Sequence, residues 1–115
     1  SVLVAGDCNA EDNEVPLKIL AAAEEDTGNG ALAARALVRL ERSLPADRRF
    51  TIVHHGRPQM LDHVLASRAL LGRFRHLEVH NEAIADELVA FGRVQRSPGS
   101  SHAPVVAEFG DETVP

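Results

Sequence analysis

The chain has 115 residues, enough for one ordinary domain but not for two. It carries 12 Lys and Arg against 17 Asp and Glu. Its net charge of −5 argues against nucleic-acid binding through overall charge but does not exclude a local basic strip. Trp and Tyr are absent, which nearly excludes aromatic stacking on single strands, and no apolar run approaches the roughly 20 residues of a membrane span. A single cysteine excludes an internal disulfide framework and is consistent with a reducing, cytoplasmic compartment.

The first residues predict a strand over 2–6, because four apolar residues follow one another from Val2 to Ala5. Such a run is typical of a strand buried on both faces. Central strands rarely open a domain, so we expect further residues to precede Ser1.

Two helices are predicted next, over 17–25 after Pro16 and over 31–43, with a break at 26–30. The second has an apolar residue at every fourth position from 32 to 44. In that helix Arg35, Arg39 and Arg42 would share another face, which is either a solvated surface or an anion-binding strip.

The second half of the chain predicts alternating strands and helices. Strands are expected over 50–54 and 61–67, joined as a hairpin by the tight connection at 55–59. There follow a short helix at 69–74, a strand at 77–80, a helical pattern at 83–91, a loop at 97–101, a strand at 103–109 and a frayed tail at 110–115. This alternation indicates an α/β or α+β domain over 1–109.

Polar side chains follow the first predicted strand, where Asp7 and Asn9 lie two residues apart. Active sites of open α/β sheets lie at such strand ends. Asp7 is suited to orienting a water or binding a divalent cation, and Asn9 to donating to a phosphoryl oxygen. The alternative is turn capping, which Asp and Asn also favour.

Asp62 and His102 are the other candidate functional residues, one at the start of an apolar strand and one at the end of a loop. A carboxylate in an apolar strand needs a partner, and histidine is a natural one. A structural ion pair or plain exposure is the alternative for both. Arg57, in the hairpin loop, is a candidate substrate contact or an ordinary surface arginine. A zinc site from His54, His55 and His63 matches no established ligand spacing.

Three short motifs occur in a fixed order: GDCNA at 6–10, LDHVLAS at 61–67 and SHAPVV at 101–106. In this order the chain resembles the endonuclease/exonuclease/phosphatase family, which has the deoxyribonuclease I-like fold. The resemblance covers 2–109 but only the C-terminal half of a family domain. It implies half of a four-layer β-sandwich, with helices outside a mixed sheet and the active site at one end of the sandwich.

The resemblance also implies a role for each matching residue. Asp7 would align the attacking water, and Asn9 would hold the scissile phosphate. Asp62 would pair with His102, which would contact the phosphate and serve as a possible proton donor. The cofactor would be Mg²⁺ or Mn²⁺, whose main ligand, a glutamate of the first half, is expected outside this chain.

Two departures from the family pattern stand out. Ser101 occupies the position where family members usually carry an aspartate directly before the last histidine, and a hydroxyl is a weaker cation ligand than a carboxylate. Cys8 stands where a bulky apolar residue is usual, and cysteine packs as a small hydrophobe.

The sequence therefore predicts the C-terminal part of a metal-dependent phosphoesterase, inactive without its N-terminal half. Its substrate would be a phosphodiester or phosphomonoester; nucleic acid stays open. The alternative is a degenerate, non-catalytic member that binds a ligand or partner. Half a sandwich would expose an apolar face and free strand edges, so we expect pairing with the missing half or a homo-oligomer.

Overall fold

The computed structural model describes residues 1–23, 30–88 and 100–112. Within these ranges the helices and strands, in chain order, are β1 (Leu3–Asp7), α1 (Val15–Leu20), β2 (Leu37–Arg39), β3 (Ile52–His54), β4 (Arg57–Gln59), β5 (Asp62–Ser67), α2 (Arg68–Leu71), β6 (Phe74–Val79) and β7 (Val105–Phe109). Short 3-10 helices occupy Gly30–Arg35, Leu40–Ser43 and Ala46–Arg48. The described residues form a small α+β domain with several antiparallel sheets and few helices.

Strand β5 is the centre of the main sheet, whose order is β1-β5-β2. Both neighbours run antiparallel to it, with Leu3 opposite Ala66 on one side and Val38 opposite Ala66 on the other. Strands β3 and β4 form a second antiparallel pair, and β6 and β7 a third. Among the described residues parallel pairing occurs only at the bridge between Val53 and Asp86, so the expected mixed sheet is not seen there.

The two faces of β5 bury different partners, because successive side chains of a strand point to opposite sides. Leu65 packs on one side in a cluster with Leu17 of α1 and Ala10. Val64 and Ala66 pack on the other side in a cluster with Leu77 of β6. The order of layers is therefore α1, then the β1-β5-β2 sheet, then the β6-β7 pair.

The helix predicted over 31–43 is wrong. A 3-10 segment covers Gly30–Arg35, β2 covers Leu37–Arg39, and a second 3-10 turn follows at Leu40–Ser43. The open side of β5 needs a hydrogen-bonding partner, and β2 supplies it, with Leu37 opposite Ser67. Tertiary pairing thus outweighs the fourfold apolar spacing, and the shared helical face of Arg35, Arg39 and Arg42 does not exist.

The hairpin is also placed differently from the prediction. Strand β3 turns back on β4, with Ile52 opposite Gln59, and β5 pairs with β1 and β2 instead. His55 and Gly56 occupy the turn with positive φ values of 53° and 73°. Two residues with positive φ make the type of turn whose twist suits a two-residue hairpin.

Strand β1 is an edge strand and is not buried as predicted. Only Val4 is partly covered, by contact with the Leu65 cluster, whereas Leu3 is 50% exposed. The strand pairs with β5 on one side only within the described residues. The side chains of Leu3 and Ala5 are therefore exposed, while Val4 packs inward.

The remaining elements overlap their predictions. The first helix is shorter than expected, at Val15–Leu20, while β5, β6 and β7 cover most of the strands predicted at 61–67, 77–80 and 103–109. The predicted tail is anchored in part, since the Gly110 amide donates to the Arg73 carbonyl and the Arg75 guanidinium to the Glu112 carbonyl. Residues 24–29, 89–99 and 113–115 lie outside the described residues. They include the end of the helix predicted over 17–25, most of the break at 26–30, and parts of the helix at 83–91, the loop at 97–101 and the tail.

Among the helices within residues 1–23, 30–88 and 100–112, none is long and apolar enough to cross a membrane.

Leu65 is fully buried at the centre of the fold, so Leu65→Ala should lower the free energy of unfolding by about 2–5 kcal/mol. The exposed Leu3 of β1 is the matched control, and Leu3→Ala should cost less than about 1 kcal/mol. Urea denaturation followed by circular dichroism measures both. Equal losses in the two variants would contradict the arrangement of the sheet.

Candidate active site

Two carboxylates face each other where β1 ends and β5 begins. The antiparallel register places Asp7 directly opposite Asp62. Residues opposite each other on adjacent strands share a face of the sheet, and like charges in this position repel. This end of the sheet is therefore a place of negative charge that favours a cation or a hydrogen-bond donor.

His102 supplies such a donor to Asp62. Its ring Nδ1 lies 2.6 Å from Asp62 Oδ2, and the two side chains are 27% and 19% exposed. A carboxylate only accepts hydrogen bonds, so Nδ1 carries the proton in this contact and Nε2 is left for another partner. The predicted pairing of Asp62 with His102 is present in the structure.

Asn9 lies in the loop that directly follows Asp7, the last residue of β1. Its backbone amide donates to Asp7 Oδ1 over 2.8 Å, and its φ of 47° falls in the left-handed region that asparagine tolerates. The Cys8 amide meanwhile donates to the Leu61 carbonyl, which fastens the loop to the residue before Asp62. Asp7 thus caps the turn, as the alternative interpretation stated, while it also stands opposite Asp62.

The three side chains could hold a divalent cation. Ligand atoms of Asp7, Asp62 and His102 all lie within 4.8 Å of one another, and this is the one such group among the described residues. Two carboxylates and an imidazole suit Mn²⁺ well, and the carboxylates suit Mg²⁺. Asp7 is exposed and the other two are half-buried, so solvent reaches the group.

Arg57 is not brought into this group. Its guanidinium donates to Glu11 Oε2 over 2.8 Å, and its side chain is 67% exposed. Glu11 follows Asn9 by two residues, so Arg57 fastens β4 to the loop after β1. Its predicted role as a substrate contact stays untested. The zinc site considered for His54, His55 and His63 is not formed, because the described part of the chain holds no other such group.

Thr51 supports the candidate site, although sequence reasoning missed it. Its side chain is completely buried, and its hydroxyl accepts from the amides of Leu61 and Asp62 over 3.1 and 3.3 Å. Its carbonyl accepts from the Ala103 amide over 2.7 Å. One residue therefore contacts both segments that carry the Asp62–His102 pair.

A second buried pair supports the loop after β1. His63 is buried, with Nδ1 2.7 Å from Glu41 Oε1 and Nε2 2.6 Å from the Ala10 carbonyl. Burial lowers the pKa of His63, but the contacts with Glu41 and the Ala10 carbonyl outweigh it and the pKa is raised. The position next to Asp62 in an apolar strand was the only signal for this pair in the sequence.

The negative charge of the site affects the neighbouring thiol of Cys8. Burial raises the pKa of its thiol, and the neighbouring carboxylates of Asp7 and Asp62 raise it further. The side chain also packs against the cluster around Leu65, as expected for a small hydrophobe. A thiol held protonated in this way is a poor nucleophile.

Comparison with known proteins identifies no relative of this chain. No family model matches it, no curated protein matches it, and no solved structure matches it.

Thr51→Val should destabilise the protein by about 1–3 kcal/mol, because the amides of Leu61 and Asp62 would lose their buried acceptor. Thr51→Ser keeps the hydroxyl and should cost less. Chemical denaturation measures both free energies, and NMR of the His102 ring measures whether its contact with Asp62 persists. A larger loss in the serine variant would contradict this role.

The Glu41–His63 pair should stabilise the protein more at low pH. Because the folded pKa of His63 is raised above its unfolded value of about 6.5, its contribution is complete below that pH and is lost as pH rises through the folded pKa. The destabilisation caused by Glu41→Gln should therefore shrink as pH rises, in denaturation curves recorded from pH 5.5 to 9.

Glu78→Gln is the matched control, because Glu78 forms a half-exposed ion pair with His76. It should change stability little at any pH. A Glu41→Gln effect that grew with pH would have the wrong sign for a raised His63 pKa.

Proposed function

We propose that this chain is the C-terminal part of a metal-dependent phosphoesterase. The observation that carries the proposal is the convergence of Asp7, Asp62 and His102, whose ligand atoms lie within 4.8 Å of one another although the residues come from three distant segments. The reaction would be hydrolysis of a phosphodiester or phosphomonoester by an activated water. The proposal rests on this geometry and on the motif resemblance.

Each residue has a role that its contacts support. Asp7 is exposed and can accept a proton from an attacking water. The exposed Asn9 side chain can donate to a phosphoryl oxygen, since its backbone is held by Asp7. His102, oriented by Asp62 through Nδ1, can present Nε2 to the phosphate or to the leaving oxygen.

The cofactor would be Mg²⁺ or Mn²⁺. The residues present fit such a cation, because Asp7 and Asp62 offer carboxylate oxygens at one place, while His102 is kept for the phosphate. When bound, the cation would neutralise charge on the phosphate oxygens and lower the pKa of a bound water. We expect its main ligand to come from residues outside this chain.

The proposed setting is a deoxyribonuclease I-like sandwich. In support, residues of the β1-β5-β2 sheet and of the β6-β7 pair share one core, with α1 on the outer side. The exposed Leu3, and the edge of β1 that no described strand pairs with, suit a missing half or a second copy of the chain. A cytoplasmic location is part of the same proposal.

Activity assays test this proposal on the polypeptide that contains this chain together with any residues preceding Ser1. With Mg²⁺ or Mn²⁺ it should hydrolyse bis-p-nitrophenyl phosphate or p-nitrophenyl phosphate, and chelation with EDTA should abolish turnover. Asp7→Ala and His102→Ala should each lower kcat by about 100-fold or more, because each removes a proton-transferring or charge-stabilising group.

His76→Ala is the matched control, since His76 is an exposed histidine of β6 paired with Glu78. It should leave kcat unchanged. The 115-residue chain alone should show no turnover. Unchanged rates in both Asp7→Ala and His102→Ala would refute the assigned roles.

A non-catalytic binding domain is the second candidate function, and Ser101 favours it. In the family that the motifs resemble, an aspartate is usual at this position, and here a half-buried serine precedes His102. Calorimetric titration with Mn²⁺ separates the two candidates. Absence of both cation binding and turnover across phosphate esters would favour the binding domain.

A further inference from the structure

A second candidate site lies at the far end of β5 from Asp62. A cavity of about 280 Å³ opens beside β2 and is lined by three arginines and by small or apolar residues. The arginines are Arg39, Arg42 and Arg68, and the neutral lining includes Ala21, Leu37 and Val38. None of the described residues that line this cavity is acidic.

Strand pairing brings the three arginines together. Arg39 ends β2 and lies opposite Leu65, while Arg42 belongs to the 3-10 turn that follows. Arg68 begins α2 directly after Ser67, which is paired with Leu37. The sequence predicts an anion-binding strip of Arg35, Arg39 and Arg42 as one alternative. In the structure, the pairing of β2 with β5 instead brings Arg39 and Arg42 together with Arg68.

The charges of this arginine cavity are poorly compensated. Arg39 is only 9% exposed, and within the described residues its guanidinium makes one hydrogen bond, from Nη1 to the Asp12 carbonyl over 2.7 Å. Within the described ranges no ion pair reaches Arg39, Arg42 or Arg68. A buried guanidinium with five donors and no counter-charge among the described residues is costly, and two further cations around the same cavity add repulsion.

We propose that the arginine cavity binds the phosphate group of a small phosphorylated molecule. Arginine recognises phosphate through paired N–H donors. Three guanidinium groups together offer more N–H donors than a single carboxylate could accept from, which favours phosphate as the ligand. The volume exceeds what a phosphate group needs, and the alanine and leucine side chains suit an uncharged organic body.

This site is separate from the Asp7–Asp62–His102 group. Along β5, Asp62 lies about 10 Å from Leu65, which pairs with Arg39, and about 17 Å from Ser67, which directly precedes Arg68. The proposal therefore does not depend on phosphoesterase activity. It is tested on the whole chain, with EDTA present and His102→Ala in the background, so that the candidate active site contributes no metal-dependent binding.

Isothermal calorimetry with inorganic phosphate and with glycerol 3-phosphate is the direct experiment. Arg42→Gln/Arg68→Gln, which leaves the buried Arg39 in place, should weaken binding of both anions at least about tenfold. Arg48→Gln/Arg73→Gln removes the same charge from two exposed arginines outside the cavity and should leave affinity unchanged. Amide NMR shifts on titration should centre on β2 and the start of α2.

Three results would overturn the proposal: no binding of either anion, equal weakening by both double variants, or NMR shifts away from β2. Tighter binding of glycerol 3-phosphate than of inorganic phosphate supports an organic ligand. Equal affinity for the two would overturn that part of the proposal. Circular dichroism of each variant verifies that the fold is intact.

Discussion

The antiparallel register between β1 and β5 is the constraint on which the candidate site depends. It sets Asp7 against Asp62 at the end of the sheet, where two carboxylates on one face repel. Hydrogen-bond donors offset this repulsion. The Asn9 backbone amide donates to Asp7, and the His102 ring donates to Asp62. A shift of one residue in the register would move one carboxylate to the other face of the sheet and separate it from the other side chains of the site.

Buried polar residues hold that arrangement in place. Thr51 joins the start of β5 to the segment before β7, and His63 with Glu41 holds the loop after β1 at the Ala10 carbonyl. Hydrogen bonds in a low-dielectric interior are costly to leave unmade, so such contacts select one geometry. The side chains of the candidate site are thus positioned by residues that are almost completely buried.

Sequence patterns predicted the strands that carry the site better than the segments between them. The segments that end in Asp7, begin with Asp62 and follow His102 are all strands. A short run of apolar residues bounded by polar ones is typical of a strand. The helix expected at 31–43 and the hairpin expected onto β5 were wrong. Both errors have one cause: local spacing says nothing of which strand completes β5, and Leu37–Arg39 took that place.

The sequence by itself determined the types of groups available: carboxylates, an amide and an imidazole at the ends of apolar segments, and arginines spaced between positions 35 and 42. Tertiary structure alone decided which of them meet. The Asp62–His102 contact spans 40 residues, and Arg68 reaches the cavity of Arg39 only because β2 pairs with β5. Contacts between distant residues depend on strand order and register, which follow from packing of the whole chain and not from any local pattern.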